Sequence, residues 1–132
     1  MTSLNSDTTP VELIGPSFLA LQVRDLEASS AFYVNKIGLK PLPQNPPGAI
    51  VFATRPVPFA IRTPLVDLDA TSKVGWGVSL WIAATDADAV HDQLVEAGVS
   101  IVLAPADGPF GRSFAFRDPD GYTITVHTER PK

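Results

Sequence analysis

The sequence FRDPDGYTITVH, residues 116–127, carries the strongest structural signal in this chain. Pro119 restricts φ for a tight turn, the aspartates on either side of it can hydrogen-bond to the local backbone, and Gly121 permits a positive φ. After this turn, apolar and polar residues alternate up to position 127. This period of two predicts a strand whose apolar face packs on the core. The opposite face then carries Thr123, Thr125 and His127.

Composition limits the class of protein. The 132 residues are enough for one compact domain with a sizeable core, and a net charge of −4 argues against nucleic acid as a partner. The absence of cysteine excludes disulfides, thiol nucleophiles and thiolate metal sites. The polar N-terminus lacks a signal-peptide pattern, and no apolar run approaches membrane-spanning length. We expect a cytoplasmic protein with a flexible arm at residues 1–13 and no membrane partner.

The first half of the chain predicts a strand, a helix and further short strands. Residues 18–24 alternate as a strand, Asp25 is placed to cap a helix from about Leu26 to Ile37, and Gly38 is placed to end it. Six prolines follow between residues 39 and 63, which favours short edge strands at residues 39–42, 49–53 and 59–62. Residues 64–75 are polar and predict a connector.

The second half repeats this order. A strand at residues 78–84 precedes Asp86, a helix at 87–97, Gly98 and a strand at 99–103, and a loop at 104–111 precedes a strand at 112–116. The two helix-capping aspartates are 61 residues apart and the two helix-ending glycines 60 apart, which predicts an internal duplication. The expected α+β fold has two tandem βαβββ modules in one domain at residues 14–132, with module 1 at about 14–63, the connector at 64–75 and module 2 at about 76–128.

Two motifs are similar to those of a known family. These are LQVRDL at residues 21–26, followed by AFY at 31–33 and GL at 38–39, and then FRDPDG at residues 116–121. In this order the chain resembles the vicinal oxygen chelate superfamily, which includes glyoxalase I, extradiol dioxygenases and bleomycin-resistance proteins. The resemblance implies a curved mixed sheet around a cavity, with the helices on the outside.

The resemblance also implies where metal ligands would lie, and those positions lack donors here. The first ligand, usually histidine, lies seven residues before the capping aspartate, which is Phe18 in module 1 and Ser79 in module 2. The closing glutamate corresponds to Thr125, and residues 59–62 offer no carboxylate. Divalent metals need several imidazole or carboxylate donors. His91 lies in a polar helix face, so His127 is the one histidine near the site, and we expect no metal and no cofactor.

Aromatic and polar residues occupy the same face instead. If Phe18 and Ser79 face the cavity, alternation adds Gln22 and Trp81, although a register slip of one residue would reverse every face. Phe110 lies in a GPFG segment that resembles the Pro-Trp-Gly segment of bleomycin-resistance proteins. Aromatic walls with a few polar groups are typical of small-molecule sites. The predicted ligand-binding residues are Phe18, Gln22, Trp76, Ser79, Trp81, Phe110, Arg112, Thr125 and His127.

These residues predict a metal-independent binding protein that sequesters a large, partly aromatic antibiotic. The resemblance implies ligands such as bleomycins, mitomycins and enediynes, and a homodimer with two pockets built from both chains. The net negative charge weakly favours a cationic ligand. The alternatives are a metal-dependent glyoxalase- or dioxygenase-like enzyme with displaced ligands, a metal-free enzyme with His127 as base, and an interaction module whose cavity is filled by core side chains.

Overall fold

The structure, a computed structural model, describes residues 16–129, so the predicted arm at residues 1–13 lies outside the described residues. The described strands form two mixed sheets, one in each module, which agrees with the predicted α+β class. In the first sheet the strands are β1 (Leu19–Gln22), β2 (Ala49–Phe52) and β3 (Phe59–Arg62). In the second they are β4 (Leu80–Ala84), β5 (Ser100–Gly108), β6 (Gly111–Arg117) and β7 (Thr123–Thr128).

Each sheet combines one parallel pair with antiparallel pairs. The first sheet has the order β1–β3–β2, with β1 parallel and β2 antiparallel to β3. The second has the order β4–β7–β6–β5, with β4 parallel to β7 and the other pairs antiparallel. The first strand of each module therefore lies at an edge of its sheet, beside the last strand of the same module. The two modules therefore share this arrangement of first and last strands, in agreement with the duplicated sequence pattern.

The helices begin at the predicted residues and end within one residue of the predicted positions. Helix α1 (Leu26–Ala31) starts where the Asp25 carboxylate accepts a hydrogen bond from the Ala28 N–H at 3.0 Å. It continues as a π-helical segment, Phe32–Ile37, and ends at Gly38, whose φ is 90°. Helix α2 (Ala87–Glu96) starts at Asp86, which accepts from the Ala89 N–H at 3.1 Å. In the described part of the chain, no helix is long and apolar enough to cross a membrane.

Two predicted segments differ from the observed structure. The expected strand at residues 39–42 is reduced to a single bridge between Pro41 and Phe52, and the ladder stops there because the Val51 N–H donates to the Asn45 side chain at 2.8 Å. The predicted loop at residues 104–111 is wrong: β5 continues to Gly108 and pairs with β6 through a hairpin that turns at residues 109–110. Irregular pairing in β5 disrupts the alternation by which a strand is recognised in sequence.

An aromatic core joins the two modules. Tyr33 packs edge-on against Phe59, with ring centroids 5.3 Å apart, and Phe32 contacts Phe116 of the second module at 6.3 Å. Five phenylalanines are buried in this core, namely Phe32, Phe52, Phe59, Phe114 and Phe116. Helix α1 and the second sheet therefore share one hydrophobic interior, and the modules do not fold as two separate cores.

The turn at residues 118–121 joins module 2 to module 1 through hydrogen bonds. Asp118 accepts hydrogen bonds from the Asp120 and Tyr122 N–H groups, both at 2.9 Å, and from the Tyr33 hydroxyl at 2.7 Å. The Tyr122 hydroxyl donates to the backbone carbonyl of Gln22 at 2.7 Å. Burial raises the pKa of Asp118, although these hydrogen bonds oppose the rise. The motif that identifies the fold in sequence is thus a buried hydrogen-bonding junction.

Candidate functional site

The face of the second sheet that points away from the hydrophobic core, which we call the outer face, carries the predicted polar residues of β7. Thr125 lies between Trp81 of β4 and Ala115 of β6, and His127 lies between Ala83 and Ser113. The intervening residues of β7, Ile124 and Val126, are buried in the core. The pairing therefore places Trp81, Thr125 and Ala115 side by side in one row across the three strands. His127 lies two residues further along β7, in the next row.

Three rings gather on this face and form what we call the aromatic cluster: Trp81, Phe110 and His127. The Trp81 ring meets Phe110 edge-on at 5.7 Å between centroids and His127 at 5.6 Å. Phe110 reaches this position because the turn at residues 109–110 carries it at the tip of the β5–β6 hairpin. Trp81 is 44% exposed and Phe110 is 69% exposed, so both offer ring surface to a planar partner.

His127 is the least exposed residue of the aromatic cluster. Its Nδ1 atom is buried and has no hydrogen-bond partner among residues 16–129, while the ring as a whole is partly exposed. A buried polar atom without a partner is costly, by about 1–3 kcal/mol. His127 is thus held in place by ring packing against Trp81 and not by a polar network of the kind that orients a catalytic base.

A cleft of about 870 Å³ lies where the two modules meet. We call it the junction cleft. It is lined by residues 19–22 and 24, the segment 71–78 at the end of the connector and the start of module 2, Leu80, Arg117 and the turn segment 120–123. Of the predicted ligand-binding residues, Gln22 and Trp76 line it. Thr123 belongs both to the cleft and to the outer face of β7, two residues from Thr125. The cleft and the aromatic cluster therefore lie along one strand.

The connector wall of the cleft is anchored by Gln22. Its side-chain oxygen accepts hydrogen bonds from the N–H groups of Leu65 and Val66, at 2.6 and 3.2 Å. At the other end of the connector, Gly75 has a φ of 74°, and a Cβ there would lie 2.7 Å from the Tyr122 ring. The close packing of Gly75 against Tyr122 fixes the position of the turn that carries Trp76. Trp76 itself is 79% exposed.

The remaining predicted residues are placed differently. Phe18 and Ser79 are exposed and precede β1 and β4, outside both the cleft lining and the aromatic cluster. Arg112 lies on the helix side of β6, where its guanidinium donates to Asp88 at 3.1 Å and to Asp107 at 3.5 Å. The structure therefore brings Trp81, Phe110, Thr125 and His127 together on the outer face, and Arg112 does not reach it.

Three cationic residues of the cleft were not predicted from sequence: Arg24, Lys73 and Arg117. Arg117 ends β6 opposite Thr123 and so shares its face, and Lys73 lies in the connector. Arg117 could have been predicted from the hairpin that turns at residues 118–121. Paired residues of an antiparallel hairpin point to the same side, and Arg117 pairs with Thr123. Lys73 lies in an irregular segment, where no periodicity indicates a direction.

The side chains at the family's metal positions do not fit a divalent ion. Phe18 has no donor atom, and the hydroxyls of Ser79 and Thr125 are weak ligands for metals that prefer imidazole and carboxylate. Among residues 16–129, no group of three or more histidine, aspartate or glutamate side chains could hold a metal ion. Both aspartates of the 118–121 turn are buried in hydrogen bonds.

Comparison with known proteins identifies the family. The model of the Glyoxalase/Bleomycin resistance protein/Dioxygenase superfamily matches residues 15–126. The fold is similar to the crystal structure of UcmS2, with a TM-score of 0.72 and 22% identity over 89% of this chain and 100% of that one. It is also similar to TnmS3, an antibiotic binding protein from Streptomyces sp. CB03234, with a TM-score of 0.69 and 26% identity over 93% of this chain and 100% of that one.

A third similar structure is a glyoxalase/bleomycin resistance protein from the same Streptomyces strain. It is 28% identical over 86% of this chain and 99% of that one, with a TM-score of 0.65. A search of curated proteins finds no match. The family model covers most of the chain, from just before β1 into β7, and includes both motifs from which the resemblance was inferred. This chain therefore belongs to the glyoxalase/bleomycin resistance protein/dioxygenase superfamily.

Proposed function

We propose that this protein is a metal-independent binding protein that sequesters a large, partly aromatic natural-product antibiotic. The observation that carries the proposal is the aromatic cluster. Trp81 and Phe110 pack edge-on and still leave much of their ring surface exposed, although burying apolar surface would normally favour folding. Exposed aromatic rings of this kind bind planar molecules with little loss of side-chain entropy.

The polar groups of the same face support binding over catalysis. Thr125 adjoins Trp81, and no carboxylate belongs to the rows of β4, β6 and β7 that flank it. Sequestration requires neither a nucleophile nor a general base, and these rows offer hydroxyl groups and one histidine. The similar fold of TnmS3, which is itself an antibiotic binding protein, is compatible with this proposal.

The proposed functional unit is a cytoplasmic homodimer with two sites built from both chains. Four large apolar side chains of the segment 65–78 are exposed in the single chain, namely Leu65, Val66, Trp76 and Val78. Apolar side chains exposed next to a cleft are typical of a protein-protein contact or a ligand site. A second copy would cover them and add a wall to the site, as closed two-fold assemblies do.

Titration with bleomycins, mitomycins and enediynes tests the proposal, with tryptophan fluorescence as the signal and calorimetry as a second measurement. We expect at least one compound to bind the purified dimer and Trp81→Ala to weaken that binding by about 2 kcal/mol or more, the range of an aromatic hot spot. Val95→Ala is the matched control, because Val95 is an exposed apolar residue on α2, away from both the cluster and the cleft.

Three results would contradict the proposal. The first is an absence of binding by every compound of the panel, and the second is equal binding by the wild type and Trp81→Ala. The third is a stoichiometric transition metal in the purified protein, together with catalysis that a chelator abolishes. That third result would support the enzyme alternative. Sedimentation velocity, which measures the mass of the assembly, tests the homodimer independently.

A further inference from the structure

The junction cleft is cationic although the protein as a whole is acidic. The net charge of the chain is −4, yet the ionisable side chains that line the cleft include Arg24, Lys73 and Arg117 against a single carboxylate, Asp120. A cleft lined by one sign of charge concentrates ligands of the opposite sign. The charge of the whole chain is therefore a poor guide to the ligand.

Arg24 is committed to two carboxylates, those of Asp120 and Asp69. The Arg24 guanidinium donates to Asp120 Oδ1 at 3.1 Å and to the Leu68 carbonyl at 3.1 Å, and its Nε donates to Asp69 at 2.6 Å. Asp120 is 8% exposed and also accepts the Arg24 N–H at 2.8 Å. This carboxylate is committed to the module junction, so the cleft does not present it as a counter-charge for a cationic ligand.

Lys73 and Arg117 remain as the cations available to a ligand. Both are exposed cleft residues, and in the described part of the chain neither forms a salt bridge with a carboxylate. Arg117 pairs with Thr123, and the next row of the same face contains Thr125 beside Trp81. One step of two residues along a strand is about 7 Å, so a polycyclic skeleton spans both rows.

We propose that the ligand carries an anionic group, such as a carboxylate, which binds at Arg117 and Lys73 while its planar part packs against Trp81. The inference rests on the proposed small-molecule function and deepens it by giving the charge and orientation of the ligand. Arg117 is suited to this role because a guanidinium recognises a carboxylate with two parallel hydrogen bonds. Trp76 also lines the cleft, and its backbone N–H donates to the carbonyl of Lys73 at 3.3 Å.

Three matched probes test the charge preference: anthraquinone carboxylate, neutral hydroxymethyl anthraquinone and cationic aminomethyl anthraquinone. Isothermal titration calorimetry should show the carboxylate binding about tenfold more tightly than the neutral probe, with the cation weakest. Arg117→Gln and Lys73→Gln should each weaken the carboxylate about fivefold, as expected for exposed charge pairs, and leave the neutral probe unchanged. Added salt should reduce the difference between the probes. Anthraquinone sulfonate should behave like the carboxylate.

Lys36→Gln is the control, because Lys36 is an exposed cation in the helical segment of module 1 and lies outside the cleft lining. Equal or tighter binding of the neutral or cationic probe would overturn the inference, as would Arg117→Gln and Lys73→Gln variants that both keep wild-type affinity for the carboxylate. If neutral compounds bind and depend on Trp81, the proposed function stands without this inference. If the carboxylate binds through Arg117 while Trp81→Ala has no effect, the anion site stands and the sequestration proposal fails.

Discussion

Replacing Tyr33 by phenylalanine tests the junction that holds the two modules together. The hydroxyl group donates a 2.7 Å hydrogen bond to Asp118, and both residues are buried, with exposures of 0% and 4%. The phenyl ring of the variant retains the packing against Phe52 and Phe59, so the hydrogen bond is the main loss. A hydrogen bond to a charged group contributes about 1.5–3 kcal/mol, and we expect the free energy of unfolding at pH 7 to fall by about 2 kcal/mol.

The loss should depend on pH in a defined direction. Burial raises the pKa of Asp118 above its usual value of 3.8, so its contribution to stability is greatest below that value and is lost as the pH rises through the folded pKa. The Tyr33 hydroxyl lowers the pKa of Asp118, so removing it raises that pKa further and enlarges the loss at neutral pH. The difference between the variant and the wild type should therefore shrink as Asp118 becomes protonated.

Urea unfolding followed by circular dichroism, at a series of pH values from 7 downward, measures this difference. A loss of about 2 kcal/mol corresponds to a fall of about 1 M in the urea midpoint. Tyr122→Phe is the matched control: its hydroxyl donates at the same 2.7 Å, but to the neutral carbonyl of Gln22. It should cost about 1 kcal/mol at every pH. The reasoning is refuted if Tyr33→Phe unfolds at the wild-type midpoint at pH 7, or if its penalty stays constant as the pH falls.

Three further predictions concern the connector and the second helix. Gly75→Ala should destabilise the fold by about 2 kcal/mol in urea unfolding, because a positive φ disfavours alanine and the new Cβ would crowd the Tyr122 ring; the idea fails if the midpoint is unchanged. Gln22→Ala should accelerate hydrogen exchange at the Leu65 N–H, which loses its acceptor, while exchange in α2 stays as it was; equal rates at Leu65 would exclude this anchor. Asp86→Ala should cost about 1 kcal/mol through the lost N-cap of α2, measured by thermal unfolding, and a stability equal to wild type would show that the cap is dispensable.

The features predicted correctly from sequence depend on contacts within a few residues. Asp25 and Asp86 each bind an N–H group three positions further along the chain, and Gly38 and Gly98 adopt the positive φ that ends a helix. Such devices act locally, so residue type and spacing are enough to locate them. The duplication followed because these local devices occur twice in the same order.

The incorrectly predicted hairpin depends on pairing across strands. Pro105 and small residues made the segment before Gly111 resemble a loop, whereas β6 provides the partner that keeps β5 extended as far as Gly108. A proline is compatible with β5 because this strand lies at the edge of its sheet. The predicted site included Phe110 on family resemblance alone, since the position of a hairpin tip depends on the length of both strands.

The roles of polar side chains were least accessible from sequence. Gln22 lines the junction cleft, but its amide oxygen binds backbone groups of the connector 43 and 44 residues away. Arg112 alternates with Ser113, and therefore shares the face of the buried Phe114. Its placement beside α2 could have been derived from that alternation. The Gln22 contact could not, because nothing local to Gln22 shows where the connector returns.

The same long-range hydrogen bonds determine which charges the junction cleft presents. Asp120 lines the junction cleft and Asp118 is two residues away, and two free carboxylates there would attract a cationic ligand. Asp118 is enclosed by Tyr33 and two backbone N–H groups, and Asp120 is paired with Arg24. Carboxylates whose hydrogen-bonding capacity is used inside the fold attract a ligand only weakly. The charges left facing the cleft are those of Lys73 and Arg117, so the turn that assembles the modules also leaves the site with a positive character.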